Sequence, residues 1–285
     1  MIDGKIEQLI RSSGLEKYED AIISNCLLSL RMTTENGDDD NIPVARSKLG
    51  GKPDLPIGIS WPKYQDRSLH FIAQVNLGEP ENKLSLLPDK GLLSFFYDSL
   101  EQPWGYDPNN RGRWKVLYFD RTEDLERREE PEDIIEQGSY SSCMTVFNLQ
   151  NTLPPAESLF VEKLRLTTEE TDNYYALLEE IEEHYNFGDM SHRLLGHPNP
   201  IQNEMQLECQ LVTHGLYCGD GTAYRDPKRK LLEQTADCWK LLLQIDSEEE
   251  IGMMWGMTGR LYFWIREEDL RQLNFNNVWV VLQCS

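Results

Sequence analysis

A strand pattern with a central glutamine occurs twice in this 285-residue chain. Residues 69–77 are LHFIAQVNL and residues 239–247 are WKLLLQIDS, so Gln74 and Gln244 each interrupt an apolar run. Alternate residues of both segments share a face, which is the period-two pattern of a β-strand. Because a buried amide needs hydrogen-bond partners, the fold has to supply partners for both glutamines.

The similarity extends on both sides of the glutamines. Upstream, SKLGGKPDLP (47–56) aligns with HRLLGHPNPI (192–201). Downstream, GLLSFFYD (91–98) aligns with GRLYFWIR (259–266). Three matched segments in the same order indicate an internal duplication.

We expect the two copies to span approximately residues 42–120 and 188–284. Their apolar runs are short and are bounded by Gly, Pro and Asn, which is typical of strands, and the brief links favour antiparallel pairing. No Gly/Ser-rich linker separates the copies, so we expect one domain over residues 1–285. The predicted fold class is α+β and rich in β-structure, with mainly antiparallel sheets built from two duplicated halves and with flanking helices.

Helical segments are predicted outside the copies, at residues 3–28 and 154–187. Residues 13–16 and residues 167–170 each match a capping box, and apolar residues follow each box at intervals of three and four. These two segments should therefore pack one apolar side against the rest of the molecule.

Three other segments have weaker patterns. TTENGDDDN (33–41) is predicted to be a loop, and residues 123–138 a short helix that Pro131 interrupts. Apolar residues alternate over residues 205–211, which predicts a strand with Cys209 on its inner face.

The chain is strongly acidic. Its 28 Lys and Arg residues against 49 Asp and Glu residues give a formal charge of −21. Such a charge repels phosphate backbones, and no basic stripe reverses it locally, so we expect no nucleic-acid ligand. The acidity favours solubility, and it also permits attraction to a basic protein partner.

The sequence contains no apolar stretch near the ~18 residues of a membrane span, and the start MIDGKIEQLIRSSG lacks the order of a secretory signal. We therefore expect no membrane association and a cytoplasmic location. The six cysteines lack CxxC spacing, which favours reduced thiols.

The matched segments resemble those of the bacterial YwqG-like family. The resemblance rests on LGGKPDLP, FIAQVNL and LPDKGLLSFFYD in the first half and on LLGHPNPIQ, WKLLLQID and GRLYFWIREEDL in the second. It extends from about residue 5 to residue 284. It implies a β-rich, roll-like fold with flanking helices. The family is a domain of unknown function, so the resemblance implies no activity and no catalytic residues.

The glutamines have two interpretations. In the structural one, each amide bonds to a loop of its own half and holds the Gly-x-Pro segment in place. In the functional one, the polar residues of the two strands face a groove between the repeats and bind a ligand there; the candidates are Gln74, Asn76, Gln244 and Asp246. We favour the structural interpretation, because a duplication copies a scaffold element in both halves and need not copy a site.

The Gly-basic-Pro segments are candidate loop sites. They could form a nest for an anion, although turns are the more common role of these residue types. The residues are Gly51, Lys52, Pro53, Gly196, His197 and Pro198.

Known catalytic and metal motifs are absent from the sequence. Cys209, His214 and Cys218 lie close together, but the paired spacing of a structural zinc site is missing. No nucleophile elbow, metalloprotease helix or kinase signature occurs. We therefore predict no metal, no cofactor and no catalytic residue. Five tryptophans could line a sugar or nucleobase pocket, although core packing is their more common role: Trp61, Trp104, Trp114, Trp255 and Trp264.

Two functional hypotheses follow. The first is a cytosolic, non-enzymatic interaction protein, an acidic scaffold that binds a protein partner of basic character. The alternative is a small-molecule binding protein or a hydrolase with its site in the groove between the two repeats.

Overall fold

The computed structural model describes residues 2–285, apart from the side chain of Gln137. The strands are β1 Leu27–Asn36, β2 Lys48–Leu49, β3 Asp54–Pro56, β4 Lys63–Tyr64, β5 Arg67–Ser68, β6 His70–Asn76, β7 Leu92–Tyr97, β8 Trp114–Phe119, β9 Leu125–Arg127, β10 Cys143–Thr152, β11 Arg193–Leu194, β12 Trp239–Asp246, β13 Arg260–Arg266 and β14 Trp279–Gln283.

Four of the eight helices that the described residues form lie in the segments 3–28 and 154–187. The eight helices are α1 Gly4–Ser12, α2 Glu19–Ser24, α3 Glu132–Gln137, α4 Leu159–Leu164, α5 Thr168–Tyr185, α6 Gln206–Thr213, α7 Arg229–Leu232 and α8 Glu267–Arg271. Short 3₁₀ turns occur at Glu16–Tyr18, Pro108–Asn110, Ala223–Arg225, Glu233–Cys238, Glu249–Ile251 and Phe275–Asn277.

Ten strands form one antiparallel sheet in the order β14-β13-β12-β11-β1-β10-β2-β6-β7-β8. The two edges of this sheet approach each other, because the rings of Trp114 in β8 and Trp279 in β14 lie 4.8 Å apart. Trp114 Nε1 also donates a hydrogen bond of 2.8 Å to the Val278 carbonyl oxygen. The sheet is therefore nearly closed into a barrel, which confirms the predicted β-rich α+β class with mainly antiparallel sheets and flanking helices.

The middle of the sheet is the pair β1 and β10, which lie side by side from Leu27 opposite Thr152 to Asn36 opposite Cys143. On each side follow a two-residue strand, a glutamine strand, a strand that comes after a glycine, and an outer strand. The order is crossed, since β1 lies beside β11 and β10 lies beside β2. Both long strands fall outside the predicted copies; the duplication, its boundaries and the single-domain organisation stay predictions.

Both glutamine strands carry a β-bulge at a matching position. The register shifts at Ile72 in β6 and at Leu242 in β12, in each case two residues before the glutamine. The carbonyl oxygen of Ile72 accepts a hydrogen bond from the Gly50 N–H over 2.9 Å, and that of Leu242 accepts one from the Leu195 N–H over 3.2 Å. A bulge redirects the side chains beside it, and here it also connects the strand to the preceding loop.

Helices α1, α2 and α5 bury their apolar faces against one another, apart from the main core. The buried residues of this cluster include Ile6, Ile10, Ile22, Tyr174, Leu177 and Ile181. The capping box predicted at residues 167–170 is confirmed: the Thr167 hydroxyl accepts from the Glu170 N–H, and the Glu170 carboxylate accepts from the Thr167 N–H.

The capping box predicted at residues 13–16 is wrong. The first helix begins after Asp3, whose side chain caps it, and it ends at Ser12. Gly14 then adopts a φ of +75°, which interrupts the helix before Leu15.

Three other local predictions need correction. The loop predicted from residue 33 begins only after Asn36, because residues 33–36 pair with β10. Within residues 123–138, β9 pairs with β3 and only α3 is helical. The strand predicted over residues 205–211 is wrong, because this segment forms α6. Successive residues of α6 are buried, and burial on several faces removes the polar stripe that marks a surface helix: Cys209, Gln210, Leu211 and Val212.

Within the described residues, no helix combines the length and the apolar character that crossing a bilayer requires. All six cysteines are unpaired thiols. Burial raises the pKa of Cys143 to about 12, so its thiol stays protonated at neutral pH.

Candidate functional site

Gln74 is fully buried and bonds to the loop that precedes its strand. Its Oε1 accepts a hydrogen bond of 2.9 Å from the Asp54 N–H. Its Nε2 donates to the Arg46 carbonyl oxygen over 2.8 Å and to Asp54 Oδ2 over 2.6 Å. Every hydrogen-bonding atom of this amide is therefore used inside the first half.

Gln244 repeats the arrangement in the second half. Its Oε1 accepts a hydrogen bond of 2.9 Å from the Asn199 N–H, and its Nε2 donates to the Ser191 carbonyl oxygen over 2.6 Å. Residue 199 aligns with residue 54 in the matched segments, and residues 191 and 46 directly precede these segments. Each glutamine thus holds the same loop of its own half in place.

Asn76 and Asp246 also bond within their own halves. The N–H of Asn76 donates to Ser47 Oγ over 2.8 Å, and the N–H of Asp246 donates to His192 Nδ1 over 3.0 Å. The strands β6 and β12 are separated by four other strands in the sheet. The structure therefore does not bring the four predicted groove residues together, and none of them lines the three cavities described below.

His192 belongs to a closed polar cluster that the sequence did not reveal. Because its Nδ1 accepts the Asp246 N–H, its Nε2 carries the proton and donates to Glu248 Oε2 over 2.8 Å. The Thr34 hydroxyl donates to the other Glu248 oxygen over 2.8 Å. His192 is fully buried and Glu248 is 7% exposed, so the cluster joins β1 to the second half and is not open to a ligand.

The predicted loop site at Gly51, Lys52 and Pro53 does hold an anion, but the anion is a carboxylate of the protein itself. The Lys52 N–H donates to Asp39 Oδ2 over 2.6 Å, and the Lys48 ammonium pairs with the same carboxylate. Gly51 has a φ of +66°, and a Cβ there would lie 2.2 Å from Asp39 Oδ2. Asp39 therefore occupies this loop.

The matching loop at Gly196, His197 and Pro198 lines a cavity of about 310 Å³. The His197 N–H donates to Thr152 Oγ1 over 2.9 Å, and His197 Nε2 lies 2.8 Å from the Asn25 carbonyl oxygen. Burial lowers the pKa of His197 to about 4, so its ring is neutral. We call this space the proline-rich cavity, after the wall residues Pro154, Pro155, Pro198 and Pro200.

The largest cavity described has a volume of about 580 Å³ and a wall rich in carboxylates. We call it the acidic cavity. Its lining consists of Trp104, Tyr106, Glu157, Leu159, Glu162, Gln202, Asn203, Glu204, Leu207, Glu208, Cys218, Gly219, Gly221, Tyr224, Arg229, Val281, Leu282 and Gln283.

The acidic cavity lies where a loop of the first half reaches the last strand of the second. The Trp104 carbonyl oxygen accepts from the Leu282 N–H over 3.1 Å, and the Tyr106 carbonyl oxygen accepts from the Cys218 N–H over 2.9 Å. Gly105 has a φ of +89°, and a Cβ there would lie 2.0 Å from a main-chain oxygen of β14. Only glycine allows the loop to approach this closely.

Glu204, which lies just before α6, and Glu208, in the first turn of α6, form the inner wall. The Glu204 carboxylate accepts the N–H groups of Gln206 and Leu207 at the start of α6, at 2.5 and 2.8 Å. Burial nevertheless raises the pKa of Glu204 to about 7. Burial and the neighbouring Glu204 raise the pKa of Glu208 to about 8. Among residues 2–285, no group donates a hydrogen bond to the Glu208 carboxyl.

Among the described residues, Arg229 is the single cation of the lining, and it already has partners. Its Nε lies 3.3 Å from Glu233 Oε2, and its Nη1 donates to the Tyr224 carbonyl oxygen over 3.2 Å. Burial and the nearby Glu208 raise the pKa of Tyr224 far above its ordinary value, so its phenol stays neutral. Among residues 2–285, none of the acidic groups of the cavity forms an ion pair, and aromatic rings line the same space. This combination suits a cationic ligand or acid–base chemistry near neutral pH.

The described residues contain no group of three or more His, Cys, Asp and Glu side chains placed to hold a metal ion. The acidic groups of the cavity thus do not form a recognisable metal centre.

The sequence analysis named Trp104 and Cys218 of this lining but neither Glu204 nor Glu208 as a candidate. Acid pairs are too common in so acidic a chain to mark Glu204 and Glu208, and a strand at residues 205–211 would not have oriented them as neighbours. Glu204 precedes α6 and accepts the N–H groups of its first turn, so the available signal was an acidic residue directly before a helix that has Glu208 in its first turn.

The fold and the site define an antiparallel, nearly closed β-sheet protein with flanking helices and an acidic cavity beside one sheet edge. The chain belongs to the family described as Domain of unknown function (DUF1963), whose model matches residues 47–284. No curated protein matches the chain.

Proposed function

We propose that this chain is a cytosolic, non-enzymatic interaction protein of the bacterial YwqG-like type, an acidic scaffold that binds a basic protein partner. A lysine or arginine side chain of the partner enters the acidic cavity. The observation that carries the proposal is the Glu208 carboxyl, which lines the cavity beside Glu204 and forms no hydrogen bond or ion pair within residues 2–285.

Charge supports this proposal in two ways, through the net charge of the whole chain and through the acidic groups of the cavity. The net charge of −21 attracts a basic partner from outside, and this attraction raises the association rate. Within the cavity, Glu157 and Glu162 are exposed while Glu204 and Glu208 are half-buried. A cation therefore meets a continuous series of acidic groups from the entrance to the inner wall.

The aromatic residues suit the rest of a basic side chain. Trp104 is 36% exposed at the cavity, and Tyr106 and Tyr224 line the same space. Aromatic faces attract cations and also cover the methylene stem of lysine or arginine.

The acidic cavity is built mainly from a segment that differs between the halves. Between the two-residue strand and the glutamine strand, the first half has residues 50–69 and the second has residues 195–238. The longer segment contains α6 and α7 and supplies Glu204, Glu208 and Arg229. A part of one half that has no counterpart in the other is where we expect a specific function.

A second candidate is a small-molecule binding protein or a hydrolase that uses the same cavity. It is favoured by the raised pKa values of Glu204 and Glu208, about 7 and about 8, which suit a general acid or base near neutral pH. The proline-rich cavity shares Leu159, Asn203 and Glu204 with the acidic cavity, so a ligand with a cationic and an apolar part can occupy both.

The pH dependence of peptide binding tests the proposal. The probe is a hexapeptide that alternates arginine and alanine, because the guanidinium group stays charged at all pH values used. Binding a cation favours ionised Glu208, so the affinity should rise about 10–30-fold between pH 6.5 and pH 8.5, as the ionised fraction of a carboxyl of pKa about 8 rises. Isothermal titration calorimetry at low salt measures it.

The variant Glu208→Gln should remove most of this rise, whereas Glu183→Gln, at an exposed position of α5, should keep it. Citrulline in place of arginine keeps the shape of the peptide and removes its charge, so it should abolish binding. Equal binding of the citrulline peptide, or an unchanged pH profile in Glu208→Gln, would contradict the proposal. A neutral metabolite that raises Tm in wild type but not in Glu208→Gln would favour the second candidate.

A further inference from the structure

The middle of the large sheet contains a strand edge without a neighbour. β10 pairs with β1 along its whole length, but β2 covers only Cys143 and Met144 on the other side. The Thr145 N–H still donates to the Ser47 carbonyl oxygen over 3.2 Å. Because N–H groups alternate in direction along a strand, those of Phe147 and Leu149 point the same way as that of Thr145.

The main-chain groups of Phe147 and Leu149 on this edge have no partner among residues 2–285. The next main-chain group on this edge that has a hydrogen-bond partner is the Asn151 N–H, which donates to the Tyr185 hydroxyl over 2.8 Å. The gap therefore spans residues 146–150 and leaves two N–H and two C=O groups in the spacing that another extended chain would match.

A cavity of about 240 Å³ runs along this gap. Thr145, Val146, Phe147 and Leu149 all line it, although successive side chains of a strand point to opposite faces. Thr145, Phe147 and Leu149 share one face of β10 with Leu30 of β1, which also lines the cavity, while Val146 points to the other face. The cavity therefore extends from that face around the edge of the strand. Residues 79–82 form part of the opposite wall.

Two buried polar atoms of the lining are also without partners in the described part of the chain. The Thr145 hydroxyl belongs to a fully buried residue, and Oε2 of Glu79 is buried as well. The other Glu79 oxygen accepts from the Ser47 N–H over 3.0 Å. Buried polar groups without partners are uncommon in folded proteins, and a ligand with hydrogen-bond donors would satisfy these.

We propose that an extended peptide segment carrying a lysine or arginine pairs with β10 over residues 146–150 and so adds a strand to the sheet. The main chain of the peptide supplies alternating N–H and C=O groups, as in other strand-addition complexes. Its basic side chain is attracted by Glu79 and Glu81, since Arg46 is the only cation that the described part of the chain contributes to the lining. Arg46 Nη1 already lies 3.5 Å from Glu79 Oε1. This site is separate from the acidic cavity and does not depend on the function proposed for it.

Selection from a phage-displayed library of random twelve-residue peptides at low salt tests the proposal. The peptides selected on the wild-type protein should alternate β-branched residues and contain a lysine or arginine. Leu149→Pro removes an outward N–H and leaves the bonds to β1, because those come from the even-numbered residues of β10. It should weaken binding of the selected peptides at least tenfold, while Leu149→Ala should change it less than threefold.

Amide hydrogen exchange provides a measurement that does not depend on the proline variant. Without peptide, the amides of Phe147 and Leu149 should exchange rapidly while those of Val146 and Asn148 are protected. The selected peptide should protect Phe147 and Leu149, and an analogue N-methylated on its main chain should not. Protection of these amides without peptide would overturn the proposal, as would peptides that protect a different strand. So would concentration-dependent dimerisation that Leu149→Pro abolishes while no peptide binds.

Discussion

The two halves of the molecule share a two-residue strand paired with a glutamine strand, which are β2 and β6 in the first half and β11 and β12 in the second. We call this pair the frame. The halves differ in the segments that surround the frame. In both, a buried glutamine opposite a buried cation holds the preceding loop: Lys48 lies opposite Gln74 and Arg193 lies opposite Gln244. In both, a bulge precedes the glutamine. The repeated polar residues are thus occupied by the fold itself, whereas the acidic cavity comes largely from the segment in which the halves differ.

The buried cations show how the shared frame is completed differently. Lys48 pairs with Asp39, a residue of the loop after β1, and Arg193 pairs with Glu182 of α5 over 3.2 Å. Glu182 also pairs with Arg31 over 3.2 Å. The acidic partner therefore comes from a different part of the chain in each half. The frame contains the buried cation, and the segments around the frame supply its acidic partner.

Removing the counter-ion of Lys48 should have the largest effect, and comparing it with the removal of Glu182 should distinguish the halves. Asp39 has a side chain only 15% exposed, so Asp39→Asn leaves Lys48 buried without its charge partner and should cost about 3–5 kcal/mol. The Glu182 side chain is 41% exposed and better screened, so Glu182→Gln should cost only about 1–2 kcal/mol. Urea unfolding at pH 7 measures both.

The double variant Asp39→Asn with Lys48→Met provides the control. Because the methionine removes the unpaired ammonium, it should recover part of the lost stability. If Glu182→Gln lowered the free energy of unfolding more than Asp39→Asn, the exposure of the acidic side chain would not explain the difference between the halves.

The glutamines should show the similarity of the halves, with a smaller effect. Gln74→Leu and Gln244→Leu each leave a loop N–H and a carbonyl oxygen without partners, so each should cost about 2–3 kcal/mol. The cost for Gln74 should lie at the upper end, because one of its acceptors is the Asp54 carboxylate. Chemical denaturation of the two single variants gives the comparison.

If one of these two variants lost more than about twice as much free energy of unfolding as the other, the glutamines would not have equivalent roles in the two halves. Far-UV circular dichroism of both variants serves as the control, since each must remain folded at zero denaturant for the two free energies of unfolding to be compared.

The frame could be predicted from the sequence because local patterns encode it. Alternating apolar residues indicated the strands, and the matched segments indicated which loops Gln74 and Gln244 would contact. The crossed arrangement of β1 and β10 could not be predicted, because neither strand lies in a matched segment and their pairing joins residues more than 100 positions apart. The helical character of α6 could not be predicted, because residues on several of its faces are buried and its sequence therefore lacks the period of an amphipathic helix.

The acidic cavity could not be predicted for a related reason. Its wall combines residues from five separate stretches of the chain, from Trp104 to Gln283, and only the tertiary structure brings these together. No local pattern distinguishes Glu208 from the other acidic residues of the chain. The property that sets it apart is a recessed position beside Glu204, and this property depends on α6 packing against β14.

The smallest effect that we predict concerns Glu208, which has no counterpart in the first half. Its pKa is about 8 in the folded protein and about 4.3 in an unfolded chain, so between these values the folded state binds the extra proton. Stability should therefore fall as the pH rises from about 4.3 to about 8. The Glu208→Gln variant lacks this pH-dependent loss of stability. By pH 9 its free energy of unfolding should exceed that of wild type by about 1–2 kcal/mol, which corresponds to a Tm higher by roughly 2–6 °C.

Thermal unfolding of wild type, Glu208→Gln and Glu183→Gln at pH values from 5 to 9 tests this effect. The exposed Glu183 serves as the control for the removal of one negative charge, and its variant should follow the wild-type curve in parallel. Parallel curves for all three proteins would mean that Glu208 titrates as an ordinary surface carboxyl. The acidic cavity would then lack the feature that distinguishes the second half from the first.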